Sequence, residues 1–233
     1  MSSMNNNSVS REKLIISFYG RLLFFFLIWL AVFFLPAGTF AFWEAWVVLA
    51  ILFIPMALGF TYWLKRDPEL LERRSKTREK EAAQKLIIKI LSLCFILTFL
   101  IPGFDKRFEW SIVPVVVVIV ADILVMLGYG ICFLVIRENR FASRTVEVEQ
   151  EQSVISNGLY AIVRHPMYLG VLLMCISLPL ALGSYWAIMI PALLIIPVLV
   201  AKIRNEESVL VRELKGYKKY LQKTKYRLIP GIW

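Results

Sequence analysis

The chain has 233 residues, 59% of them hydrophobic and 14% aromatic, with a mean hydropathy of +0.68 and a formal net charge of +10. A composition this apolar excludes an ordinary soluble domain and specifies a polytopic membrane protein built as an all-α helical bundle. The basic excess does not call for nucleic acid. Of the 27 lysines and arginines, 25 fall on alternate connections between apolar stretches, leaving only Lys106 and Arg107 on the others, so topology and anionic lipid account for them.

Arg11, Lys13 and Arg21 introduce a first apolar run over 18–36. The run continues with few breaks and is long for the core of a signal peptide, so a membrane span is expected rather than a cleaved leader. Stretches near the ~20 residues needed to cross a bilayer follow at roughly 43–64, 86–103, 112–136, 166–183 and 185–203, giving six expected spans. With an even number, both termini and the connections 65–85 and 137–165 share one side, which the positive-inside rule makes cytoplasmic. The host is the cell membrane in a prokaryote or the endoplasmic reticulum in a eukaryote.

Glu44, at the start of the second span, is expected at a solvated interface. The Lys65–Lys85 connection alternates in charge and is expected to form a solvated or headgroup-lying helix started at Pro68. Asp122 lies inside the fourth span, where a carboxylate is costly, so it is expected to face the bundle interior and to be a functional candidate. Cys94, Cys132 and Cys175 fall within spans without CxxC spacing, which predicts buried thiols rather than metal ligands or disulfides. No metal is expected.

After the fourth span the chain turns polar. The alternation Thr145-Val-Glu-Val-Glu149, then Ser153-Val-Ile-Ser156 and the turn signal Asn157-Gly158, predicts an extended, hairpin-like lid. Next comes the chain's single histidine, in Arg164-His165-Pro166. A residue before proline is pushed out of the α region and Pro166 suits a first helical turn, so His165 is expected near an N-cap. The amides of Met167 and Tyr168 would then lack helical partners and, with Arg164 alongside, form an anion site. The plainer alternative is that proline merely starts a membrane helix, with Arg164 and His165 anchoring it at the headgroups. Gly183-Ser184 predicts a tight turn between the last two spans, and Pro179, Pro191 and Pro197 predict kinks. Beyond the sixth span Lys202 and Glu206 share a helical face, either as a site or as an ordinary juxtamembrane pair. Leu210 and Leu214 continue an interfacial helix that should stop near Gly216.

The chain thus divides into an N-terminal membrane region, 1–136, and a C-terminal unit, 137–233. No polar stretch exceeds about 30 residues, too short for a Rossmann domain, and Gly128-Tyr-Gly130 lacks both a third glycine and a preceding strand.

Gly158-x-Tyr160, Arg164-His-Pro-x-Tyr168-x-Gly170, the Glu206-Glu207 pair, Gly216-Tyr-x-x-Tyr220 and Tyr226-Arg-Leu-Ile-Pro230 occur in this order around a helical hairpin. As a set they resemble the isoprenylcysteine carboxyl methyltransferases, integral membrane enzymes related to the phospholipid N-methyltransferases. The resemblance makes 137–233 a methyltransferase core using S-adenosylmethionine. It implies cofactor contacts at Gln152, Ser153, Val154, Ile155, Tyr160, His165, Pro166, Met167, Tyr168 and Glu206. Residue chemistry agrees: the helix start offers donors to the cofactor carboxylate, Glu206 an acceptor for its amine, and a tyrosine face suits the sulfonium. The family commonly has arginine where this chain has Lys202, which keeps the charge for binding a substrate carboxylate but loses the bidentate fork.

The implied reaction is carboxyl O-methylation of a lipophilic acceptor entering from the bilayer, with Lys202 holding that acceptor. Phospholipid or small-amine N-methylation is the alternative, with Glu207 or a tyrosine as candidate base. Two other classes stand beside these: an NADPH-dependent membrane reductase, since sterol reductases share a related helical arrangement, and a non-enzymatic scaffold or transporter. The first would require more phosphate-binding charge than Arg137, Arg140 and Arg144 offer, and the second would be favoured by an inverted repeat, which is not seen in the sequence.

Overall fold

A computed structural model describes residues 2–68, 71, 96–139 and 153–233 of the chain. In chain order the helices are α1 (Ser2–Ala37), α2 (Trp43–Arg66), α3 (96–108), α4 (Val115–Glu138), α5 (Pro166–Ala181), α6 (Trp186–Glu213) and α7 (Tyr217–Lys223). The all-α expectation holds among the described residues, where one isolated parallel bridge, Val163 with Tyr226, is the exception.

Among the described residues four helical segments are long and apolar enough to cross a membrane: Leu14–Ala37 of α1, α2, α4 and α6. The expected count of six is not reproduced. α5 is apolar but only 16 residues long, because Gly183 at φ +71° takes the chain out of helix after Ala181. Of the expected stretch 86–103, only 96–103 lies within the described residues, on α3. The charged helix expected from Pro68 falls, apart from Pro68 and Leu71, outside the described residues, as does the Thr145–Glu149 half of the lid. Exposed Leu35, Leu58, Val116 and Leu193 give these helices the apolar outer surface that lipid requires.

Among the described helices α4 and α5 pack most closely. They cross at glycines: a Cβ on Gly128 would lie 2.7 Å from the Gly170 carbonyl oxygen, and one on Gly170 would lie 2.8 Å from that of Gly128. In lipid there is little hydrophobic drive between helices, so such close approach supplies the packing energy. Phe33, Phe42, Leu49 and Phe99 join Val125 and Leu182 in a core that ties α1, α2 and α3 to this pair.

At the same end of the bundle as the α5–α6 turn, buried Asp105 holds the connections. Its carboxylate accepts the Ser111 amide at 2.8 Å, the Ser184 hydroxyl at 2.5 Å and the Ser111 hydroxyl. Glu44 departs from the solvated position expected of it. Its side chain is 12% exposed, faces Gly183 and lies 3.5 Å from Lys106 Nζ, because the turn closes over it. The prolines of α6 act as expected: a wide π turn, Pro191–Ile195, precedes the regular helix Ile196–Glu213. It accommodates Pro197, whose ring would otherwise clash with the carbonyl of residue 193.

Candidate functional site

At the other end, α4 stops, α5 starts, and the polar turns of α6 meet the tail. Glu138, at the end of α4, reaches over the next described segment: its Oε2 accepts the Leu159 amide at 3.0 Å. Gly158 has φ +55°, and the Glu138 carboxylate fills the space a Cβ would take, so only glycine fits this turn. A short 3-10 turn, Gly158–Ala161, then presents Tyr160. Its hydroxyl accepts from Asn139 Nδ2 at 2.9 Å, and its carbonyl accepts the Tyr220 hydroxyl at 2.8 Å and that of Thr224 at 3.2 Å. Burial pushes the Tyr160 phenol up to about 12, with the Glu206 and Glu138 carboxylates adding to the shift and the Asn139 bond opposing it. Burial likewise pushes Tyr220 up to about 12, and raises Tyr217, which has Glu207 and Glu206 nearby.

The tail splints the start of α5. The Arg164 and His165 amides donate to the Tyr226 and Arg227 carbonyls, each at 2.9 Å. The Arg164 guanidinium bonds the Thr224 carbonyl at 2.7 Å, the Leu221 carbonyl at 3.1 Å and Glu207 Oε1 at 3.1 Å. Glu207 Oε2 accepts Arg227 Nε at 2.7 Å, and His165 Nε2 stands 3.5 Å from Oε1. Arg164 therefore does not flank an anion site as the sequence suggests. It is spent on holding α6 and the tail together. Glu207, expected as a candidate base, sits between two guanidiniums; its side chain is 8% exposed.

His165 is the N-cap residue and Pro166 opens α5, as expected, and no side chain caps the helix start. The Tyr168 hydroxyl donates to Glu206 Oε2 at 2.6 Å, Lys202 Nζ lies 5.8 Å from the Tyr168 ring centre, and the His165 and Tyr168 rings are 5.7 Å apart. His165, Tyr168, Lys202 and Glu206 are thus one cluster. Val154 packs against Leu214, Tyr217 and Tyr220, bringing the 153–156 segment beside α7. A groove of about 550 Å³ between them is lined by Val154, Ser156, Gly216, Lys219, Tyr220 and Lys223. Gln152 lies outside the described residues.

Two buried atoms here, His165 Nε2 and the Tyr217 hydroxyl, have no hydrogen-bond partner among the described residues. Buried polar groups left so are rare, and a ligand rich in donors and acceptors would satisfy them. With the uncapped amides and Glu206, they fit a zwitterionic amino-acid moiety. Among the described residues no group of His, Cys, Asp and Glu is arranged to hold a metal. The sequence offered Tyr217, Tyr220 and Arg227 as motif letters without roles. It missed Glu138 and Asn139 altogether; the only signal for them was their place at the polar end of a span.

Residues 116–216 match the family model of the phospholipid methyltransferases, a family related to the isoprenylcysteine carboxyl methyltransferases. No curated protein matches the chain. The match bears out the resemblance drawn from the motifs at the level of the family, and it suggests a membrane methyltransferase. It begins inside α4 and runs to Gly216, leaving α1, α2, α3 and the splinting tail outside it.

Proposed function

We propose that the chain is an S-adenosylmethionine-dependent methyltransferase that esterifies a carboxylate on a lipophilic acceptor of isoprenylcysteine type, drawn laterally from the bilayer. The observation that carries the acceptor class is the engagement of Glu207. With one oxygen on Arg164 and the other on Arg227, it is poorly placed to take a proton from an amine. A carboxylate acceptor arrives ionised and needs no base.

S-adenosylmethionine supplies an electrophilic methyl group on a sulfonium, open to in-line displacement. The residues of the chain bind and align. The amides of Met167 and Tyr168 receive the cofactor carboxylate at the helix start that His165 and Pro166 set. Glu206 receives the amine, while Gln152, Ser153, Val154 and Ile155 line the bound cofactor, and the faces of Tyr160 and Tyr168 suit the sulfonium. Lys202 holds the acceptor carboxylate by charge, and catalysis comes from orientation and exclusion of water. Glu207 acts as a positioning residue that fixes Arg164 and the tail. The distribution of basic residues supports a cytoplasmic site with both termini on that side.

An amine acceptor of phospholipid type is the second reading, favoured by the description of the matched family. Incubating membranes that contain the protein with methyl-labelled S-adenosylmethionine separates the two. Base-labile label is expected; label held in stable amines overturns the carboxylate assignment. Cofactor binding that is absent, or unchanged in His165→Ala and Glu206→Ala, overturns the site.

A further inference from the structure

A cavity of about 430 Å³ lies between α1, α2, α4 and α5, on a different face of α5 from the cofactor cluster. α5 turns Tyr168, Leu172 and Ile176 toward α6 and the tail, and Val171, Met174, Cys175 and Leu178 toward the cavity. Its remaining walls are aromatic and aliphatic, including Phe25 and Trp29 of α1 and Phe53 of α2, with one cation, Arg21. Among the described residues no carboxylate pairs with Arg21.

Three observations specify an occupant. The lining of α1 runs from Phe18 to Trp29, about 16 Å at the helical rise, which matches one leaflet of a hydrocarbon core about 30 Å thick. Arg21 lies near the end of that run where α1 enters from the polar N-terminal segment, the level at which a long cationic side chain reaches phosphates. Around this level α1 is fastened to α2, with Phe18 stacked on Phe60 at 3.6 Å and the Tyr19 hydroxyl 2.9 Å from Thr61 Oγ1, while the cavity separates it from α4 and α5. We propose that this cavity is a resident-lipid site: one acyl chain of an anionic glycerophospholipid fills it, and the lipid phosphate pairs with Arg21. The lipid is not the methyl acceptor. It wedges α1 against the α4–α5 pair, with α5 between it and the cluster of Lys202 and Glu206.

Native mass spectrometry of the full chain in mild detergent, titrated with phosphatidylglycerol and with phosphatidylcholine of the same chains, tests the site. One tightly held phosphatidylglycerol per chain is expected. Arg21→Gln should weaken it about fivefold, the contribution of one basic side chain at an anionic surface, and remove the preference over phosphatidylcholine. Two independent cavity-filling variants, Val171→Phe and Cys175→Phe, should abolish retention of both lipids. S-adenosylmethionine binding, measured on the same samples, should be unchanged in Arg21→Gln. Equal retention of the two lipids by the unsubstituted chain, or retention unaltered by Arg21→Gln, overturns the assignment. Loss of cofactor binding in Arg21→Gln would instead make the cavity part of the catalytic site.

Discussion

Glu206 and Glu207 are adjacent in sequence and differ in circumstance. Glu206 meets a tyrosine hydroxyl and neighbours Lys202; Glu207 is wedged between Arg164 and Arg227. Removing the second carboxylate strands Arg164, whose side chain is 11% exposed, so Glu207→Ala should cost about 3–5 kcal/mol in thermal unfolding. Glu206→Gln should leave the melting temperature near that of the unsubstituted chain and weaken S-adenosylmethionine binding in calorimetric titration. Equal melting losses for the two would contradict this division of labour. The tyrosines give a pH prediction. Folding favours the neutral phenols of Tyr160 and Tyr220 and raises both to about 12, above the unfolded value near 10. Their contribution is complete below pH 10 and is lost as the pH climbs to about 12. Tyrosinate absorbance should lag in the folded protein across that window, and ordinary titration of all the phenols near pH 10 would refute it. The carboxylate pair was legible as a motif. Its split roles were not, because Arg164 and Arg227 reach Glu207 from 43 residues before it and 20 after it.

At the scale of elements, the apolar runs were legible because lipid demands continuous hydrophobicity, and the turns at Gly183 and Gly216 because both glycines take positive φ. The π turn in α6 was not, since it depends on how the helix and its neighbours accept proline. The α4–α5 crossing was missed for a related reason. Gly128 was weighed for cofactor binding, where its use is to bring two backbones together. Gly170→Leu should therefore lower stability by about 1–3 kcal/mol or more in detergent melts, while the same change at Gly130, which faces open space, should be nearly silent. Gly158→Ala should displace the Glu138 carboxylate and weaken cofactor binding, an effect absent if the turn merely tolerates glycine.

The described molecule is fastened at both ends by carboxylates, Asp105 at the α5–α6 turn and Glu207 beside the cluster of His165, Tyr168, Lys202 and Glu206. Deleting residues 224–233 should leave helix content by circular dichroism largely intact and abolish cofactor binding, because Thr224, Tyr226 and Arg227 hold the start of α5 in place. The parallel bridge between Val163 and Tyr226 gives this arrangement a consequence in time. Residues 224–233 follow all the described membrane-length helices in the chain, so those helices can enter the bilayer before this segment folds back onto α5. Until that segment folds back, Arg164 and Glu207 have each other but lack the Thr224 carbonyl and the Arg227 guanidinium, so the start of α5 is only partly held and the cluster of His165, Tyr168, Lys202 and Glu206 is completed last.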